Sequence, residues 1–241
     1  MTTASHVLGA MQQLPSVDLD TLLGEERPLI LAPHPDDESL GCGGLIAACC
    51  QRGRPPYVVF LTDGAASHPG SREYPPDRLR ALRAQEARRA LARLGLAPDN
   101  LSFFNYPDTA LPSGPEVSAR VARLAQEQGC TVMLAPWLHD PHCDHETAAI
   151  IARDAAQMAQ CRLLSYPVWG WLLPPDQQLP VNTVAGYKLA IPAHLQTKRS
   201  AVAAHASQYS GLIDDSPNGF RLPRELLAVF ERPYEVFLSN E

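Results

Sequence analysis

Along residues 27–169, short apolar runs alternate with longer segments whose apolar positions recur at helical spacing. "RPLILAP" (27–33), "PYVVFLTDG" (56–64), "NLSFFNYP" (100–107), "CTVMLAPW" (130–137) and "CRLLSYPVW" (161–169) read as strands. The first ends in proline and the second at the turn signal Asp63-Gly64. Between them, helical periods cover 39–51, 76–94, 114–129 and 144–160, and Gly95 stops the second of these helices. Strands alternating with helices imply βαβ units and hence a parallel sheet covered on both faces. The expected fold class is therefore α/β: a Rossmann-like, doubly wound, mainly parallel sheet.

The last third breaks this rhythm. A proline-rich loop (172–182) precedes a strand in "GYKLAIP" (186–192) and a helix in "AHLQTKRSAVAAHASQ" (193–208). A short helix at 224–230 and a closing strand in "YEVFLSN" (234–240) follow. No internal repeat or linker is visible, so one domain over residues 1–241 is expected. Residues 1–26 read as a peripheral polar lead and 172–241 as a C-terminal elaboration.

Composition narrows the function classes. With 45% hydrophobic and 19% charged residues, the chain resembles an ordinary soluble globular protein. A formal net charge of −6 argues against a nucleic-acid groove. The arginines of 78–95 read mostly as the solvated face of one helix. No run of about 18 apolar residues suggests a membrane span, and the N-terminus lacks the pattern of a secretory signal. Six cysteines show neither a C-x-x-C pair nor disulfide-framework spacing, and four look like buried residues of helices or strands. A reduced, cytoplasmic protein is the expectation.

Chemistry concentrates at one place. Ligands of open parallel sheets bind beyond the carboxyl ends of the strands. "PHPDDE" (33–38) follows the first strand and "LHDPHCDHE" (138–146) the fourth, so both fall on that edge. They supply His34, His139, His142 and His145 with Asp36, Asp37, Glu38, Asp140, Asp144 and Glu146. A single acid before a helix is usually a cap or dipole partner. Two His-and-Asp clusters on one edge fit zinc, which takes three such ligands and leaves a position for water. His34 and Asp37 can point at one ion, and His142 or His145 can supply a third ligand. Asp36 and the remaining histidine suit the roles of general base and oxyanion stabiliser. Rival motifs are weaker: "GCGG" is no phosphate loop, and there is no G-x-S-x-G elbow around a serine.

"PHPDDE", "LTDGAASH" and "DPHCDH", with "RAQEARRALARLG", "YPDTAL" and "KRSAVAAHASQ", resemble the PIG-L/LmbE family of zinc-dependent N-acetylglucosaminyl deacetylases over roughly residues 28 to 210. The resemblance implies zinc ligands at His34, Asp37 and His145, a general base at Asp36 and an oxyanion-stabilising histidine at His142. It further implies sugar contacts at Arg83 and Asp108, and an orienting role for Asp144 behind the ligands. Glu38 reads as a first-turn residue or a support behind the ligands. Cys143 stands where the family commonly has proline, and Pro33 where it commonly has alanine; neither change removes a ligand.

Other residues carry blander readings. Arg83 suits a solvent-facing position as well as a substrate contact, and Asp108 suits a turn. His205 reads as a satisfied or interfacial histidine. Trp137, Trp169 and Trp171 read as core, with one able to stack on a sugar; His68 and Tyr74 suit a mobile rim. The expected activity is zinc-dependent removal of acetyl from an N-acetylated amino sugar or conjugate. An amidase for a larger acyl or thiol-sugar conjugate, and a non-catalytic metal- or sugar-binding module, are the alternatives. The implied partner is a small amino-sugar substrate, with no nucleic acid and no membrane span; a homo-oligomer stays open.

Overall fold

A computed structural model describes residues 1–239. Its core is an eight-stranded sheet ordered Ser16–Val17, Gly186–Ala190, Tyr234–Leu238, Arg162–Tyr166, Val132–Pro136, Pro28–Ala32, Tyr57–Thr62, Leu101–Tyr106. Neighbours pair in parallel except Tyr234–Leu238, which runs antiparallel to both of its partners. The expected mainly parallel α/β sheet is present. Pro28–Ala32 sits between Val132–Pro136 and Tyr57–Thr62 and is buried throughout. Its side chains alternate between two cores: Leu29 and Leu31 join one cluster, Ile30 and Ala32 the other. A central strand is therefore apolar at every position, because helices cover both faces.

The helix Asp37–Gln51 starts two residues earlier than its apolar period suggests. It is buried from Asp37 to Cys49, so its small residues are packing contacts. A Cβ at Gly44 would meet Ile191 Cγ2 at 2.6 Å, and no phosphate cradle is needed to explain the "GCGG" run.

Three expectations change. Within the polar lead, Ala4–Gln13 is a helix whose Ala4, Val7 and Met11 pack with Trp137, Leu173, Val236 and Leu238. Ser16–Val17 adds an edge strand, and Thr2–Thr3 pairs with Gln178–Leu179 inside the expected loop. The single helix expected over 193–208 is instead Leu195–Val202 followed by Ala206–Tyr209. His205 leaves helical geometry between them; its Nε2 engages Glu38, and Glu86 accepts the N–H of Ser207. Cys42, Cys49 and Cys130 are buried, Cys50 and Cys161 half-buried and Cys143 exposed, and all six are free. Of the closing strand, Tyr234–Leu238 is formed; Asn240 lies outside the described residues.

Candidate metal centre and its cavity

The turn after Pro28–Ala32 is tied at both ends. Thr62 donates its N–H and its hydroxyl to Pro33 O, at 2.9 and 2.8 Å. Asp37 Oδ2 accepts the N–H of His34 at 2.9 Å, which folds the loop onto the first turn of the helix. Asp36, at the head of that helix, has φ 151°, a conformation that favours glycine. Such strain persists only where surroundings enforce it. Here Glu38 Oε2 accepts the Asp36 N–H at 3.0 Å, and Arg83 Nη2 lies 3.2 Å from Asp36 Oδ2. Glu38 is itself held by Ser39 Oγ (2.6 Å) and His205 Nε2 (3.1 Å).

Residues 108 positions apart, Asp37 and His145, meet at this turn. Asp37 Oδ2 lies 3.3 Å from His34 Nδ1 and 3.2 Å from His145 Nε2. In a tetrahedral zinc site with bonds of about 2.1 Å, ligand atoms stand roughly 3.4 Å apart, so the spacing fits. His145 Nε2 is buried and makes no hydrogen bond among the described residues. Its Nδ1 is engaged by Asp140 Oδ2 at 3.0 Å. A carboxylate that accepts a hydrogen bond from Nδ1–H leaves the Nε2 lone pair for an ion, the usual second partner of a ligating histidine. These donors therefore fit a divalent transition metal. His34, His142 and His145 form a candidate group, their ligand atoms lying within 4.8 Å of one another.

Charge balance at the site follows from burial and neighbours. Burial disfavours charge on Asp37, but the charge of His145 and the hydrogen bond and charge of His34 outweigh it and hold the carboxyl well below its ordinary range. The reverse holds at His145, whose pKa is lifted to about 9 by Asp37 and Asp140 despite its burial. His34 likewise rises well above 6.5, because hydrogen bonds to Asp108, Asp144 and Asp37 overcome desolvation. Protons thus occupy positions that a cation would take over, and metal binding would release them. Asp36 is different: burial pushes it up to about 6, against the pull of Arg83. His142 falls to about 4 through burial and the charges of His34 and His145.

The remaining expected residues can be placed. His142 caps the helix Cys143–Ala159, its Nδ1 accepting the Asp144 N–H at 3.2 Å. Asp144 Oδ2 lies 3.0 Å from His34 Nε2, and its two oxygens accept the N–H groups of Thr109 and Leu111. Asp108 Oδ1 lies 3.2 Å from His34 Nε2 and Oδ2 accepts the Ala66 N–H, so it does more than stabilise a turn. Arg83 is buried, which removes the solvent-facing reading; it donates to Gly64 O and Pro35 O as well as to Asp36. All of these except Asp144, His145 and Glu38 line one cavity of about 280 Å³. His139 stands apart, edge-on to Trp137 beside a second cavity. Cys143 is exposed, with Sγ 3.7 Å from Thr109 O.

Asp140 carries a role that its position in the cluster did not reveal. Besides His145, it accepts the N–H groups of Val168, Trp169 and Gly170. Gln208, Trp169 and Phe220 are further cavity residues, drawn from the irregular C-terminal third.

The chain is similar to several known proteins. Diacetylchitobiose deacetylase of Thermococcus kodakarensis is 28% identical over 137 residues, 56% of this chain and 50% of that protein. The chain thus spans about half the length of that relative. A probable N-acetyl-alpha-D-glucosaminyl L-malate deacetylase 2 of Bacillus anthracis is 28% identical over 198 residues, covering 77% of this chain and 83% of that one. N,N'-diacetylchitobiose deacetylase from Pyrococcus horikoshii, solved with an inhibitor, has the same fold with a TM-score of 0.60 at 20% identity, covering 85% and 74%. The model of the PIG-L family, described as GlcNAc-PI de-N-acetylase, matches residues 29–156, more than half of the sequence, and the chain belongs to that family.

Proposed function

We propose that the protein is a zinc-dependent hydrolase that removes the acetyl group from an N-acetylated amino sugar or sugar conjugate. One observation carries the reading: Asp36 and His142 face the same cavity as His34 and Asp37, with His145 closing the donor set behind it. His34, Asp37 and His145 would hold the ion. Zinc, when bound, supplies a Lewis acid for the acyl oxygen and makes water more acidic. Asp36 takes a proton from the attacking water, a role suited to a carboxylate whose pKa lies near 6. His142 is neutral at working pH and its Nδ1 accepts a backbone N–H, so its proton sits on Nε2. That N–H can donate to the oxygen that gains charge as the carbonyl becomes tetrahedral. The proton held by Asp36 then passes to the departing amine, and acetate and the free amino sugar are released.

Residues 1–241 act as one unit in this reading, and residues after 172 complete the cavity. Arg83 holds Asp36 and Asp108 holds His34, so any sugar contact they make comes in addition. Six free cysteines support a cytoplasmic location, and no helix of the described residues is long and apolar enough to cross a membrane. The test is acetate release from a panel of N-acetyl sugars by zinc-loaded protein. Asp36→Asn should keep the metal and lose at least about a hundredfold in kcat, whereas His34→Ala should lose the metal by elemental analysis. Full turnover by Asp36→Asn would remove it as the base.

A further inference from the structure

His205 lies 167 positions from Glu38, is buried, and takes no part in the steps proposed for the reaction. Its place is set by the break between the helices Leu195–Val202 and Ala206–Tyr209. At φ −79° and ψ 59° the residue leaves the helix, yet its N–H still donates to Val202 O at 3.2 Å. Its carbonyl accepts the N–H groups of Gln208 and Tyr209, at 2.9 and 2.8 Å. The imidazole is thereby carried to the head of the helix Asp37–Gln51, with Nε2 3.1 Å from Glu38 Oε1 and 3.2 Å from Ser39 Oγ. The Ser39 hydroxyl proton is committed to Glu38 Oε1 at 2.6 Å, so His205 Nε2 carries a proton and donates to the carboxylate. His205 Nδ1 has no hydrogen-bond partner among the described residues, and the polar contacts of the ring all lie on the Glu38 side.

The other oxygen of Glu38 reaches Asp36. Oε2 accepts the Asp36 N–H at 3.0 Å, while Asp36 O accepts the N–H groups of Ser39 and Leu40 at 3.0 and 2.9 Å. A carbonyl that opens a helix is ordinary, but the Asp36 N–H is turned toward Glu38 by a φ of 151°, which persists only where its surroundings enforce it. Arg83 grips the carboxylate of Asp36 and not its N–H. Glu86, three residues after Arg83 on the helix Pro76–Arg93, accepts the N–H and the hydroxyl of Ser207 at 2.8 and 2.6 Å. Ser207 Oγ in turn accepts from Gln208 Nε2 at 3.0 Å. One helix face thus fixes the Asp36 carboxylate through Arg83 and the segment bearing His205 through Glu86. Asp36, Glu38, Arg83, Glu86, His205 and Ser207 are all buried, so solvent does not replace a partner that is lost.

We infer that His205 is a positioning residue: acting through Glu38, it holds the Asp36 peptide in its rare conformation and keeps the Asp36 carboxylate directed into the cavity. Without the Nε2 donor, the buried Glu38 carboxylate keeps Ser39 as its one side-chain donor, and its plane is no longer pinned against the Asp36 N–H. The effect on turnover rests on the reading of Asp36 as the base; the effect on the Asp36 backbone does not.

Crystal structures and kinetics of two zinc-loaded variants test this. His205→Leu removes the donor, whereas His205→Gln puts an amide Nε2 where the imidazole Nε2 stood. In His205→Leu, Asp36 should relax to negative φ and its Oδ2 should leave Arg83; in His205→Gln both should stay. On the N-acetyl sugar that the wild-type chain turns over fastest, His205→Leu should lose about tenfold to a hundredfold in kcat, the scale of a misplaced reacting group. KM and zinc content should hold, and His205→Gln should recover most of the loss. A merely structural role would lower the folded fraction and leave kcat per zinc-loaded site unchanged. His205→Asn, polar but too short to reach Glu38, should behave like the leucine variant and replaces it if leucine prevents folding. An unmoved Asp36 φ in the variant without the donor, or a loss of zinc that matches the loss of turnover, would overturn the inference. Absence of acetate release by the wild-type chain would sink the deacetylase reading alone, since the crystal structures still decide whether His205 sets the Asp36 backbone.

Discussion

Asp140 Oδ2 lies 3.0 Å from His145 Nδ1, and the same carboxylate gathers three consecutive backbone N–H groups from Val168 to Gly170. One side chain thus sets the tautomer of a candidate metal ligand and anchors the turn that carries Trp169. Gly170 is required for this contact, since a Cβ there would stand 2.7 Å from Asp140 Oδ1. Replacing Asp140 by Ala should lower zinc affinity by about 10–100-fold. The orphaned N–H groups should also cost about 1–3 kcal/mol each where water cannot reach them. Competition with a chelator and urea unfolding measure the two effects, and undiminished zinc affinity would deny Asp140 its role.

The Asp36–Arg83 pair predicts a pH profile. Burial lifts Asp36 to about 6, the neighbouring Asp37 charge adds to this, and Arg83 opposes it. A base works ionised, so kcat/KM should rise as pH climbs through about 6 and level off above it. A cation on Asp37 pulls the other way, which places the acid limb at or below that value. Arg83→Met removes the opposing charge and should move the limb upward by about one pH unit or more. Arg83→Lys should move it less. A limb that stays in place in the Met variant would show that Arg83 does not act through Asp36.

Much of the candidate site was legible from one sequence because its candidate ligands fall in two short motifs. "PHPDDE" places His34 and Asp37 on one turn, and the strand alternation puts the second cluster on the same edge. Features set by distant contacts were not legible. Asp140 meets partners about 28 residues later, and Gln208 is oriented by Glu86, 122 positions earlier. Arg83 resembles its solvated neighbours in a helix rich in arginine. Its spacing from Leu79, Glu86 and Ala87, all buried on the same face, is the signal that it points inward. The break at His205 is equally silent, because the 193–208 stretch has an unbroken helical period.

Gly41 packs its backbone against Tyr166, and an added Cβ would fall 2.2 Å from Tyr166 Cδ2. That ring cannot easily retreat: it is buried, and its hydroxyl donates to Leu31 O at 2.6 Å. Gly41→Ala should therefore destabilise the protein by about 1–3 kcal/mol through overpacking, although alanine is the better helix former. Thermal unfolding would show this as a lowered midpoint. A raised midpoint would mean that helix propensity outweighs the clash.

Lys198 and Glu235 form a buried ion pair at 2.7 Å, remote in sequence from the metal donors. The Glu235 carboxylate also accepts the N–H groups of Gly44 and Leu45, at 2.7 and 2.8 Å, and so joins the closing strand to the helix that carries Asp37. Removing one partner strands a charge in the interior, which costs about 3–5 kcal/mol. Lys198→Met should show that loss. Glu235→Leu should show a loss of similar size, because it strands the ammonium and removes the contacts to two helix N–H groups. The double variant should recover part of the Lys198 term, since no unpaired charge remains. Urea unfolding of the three variants measures the coupling, and strictly additive losses would show that the two groups do not stabilise each other.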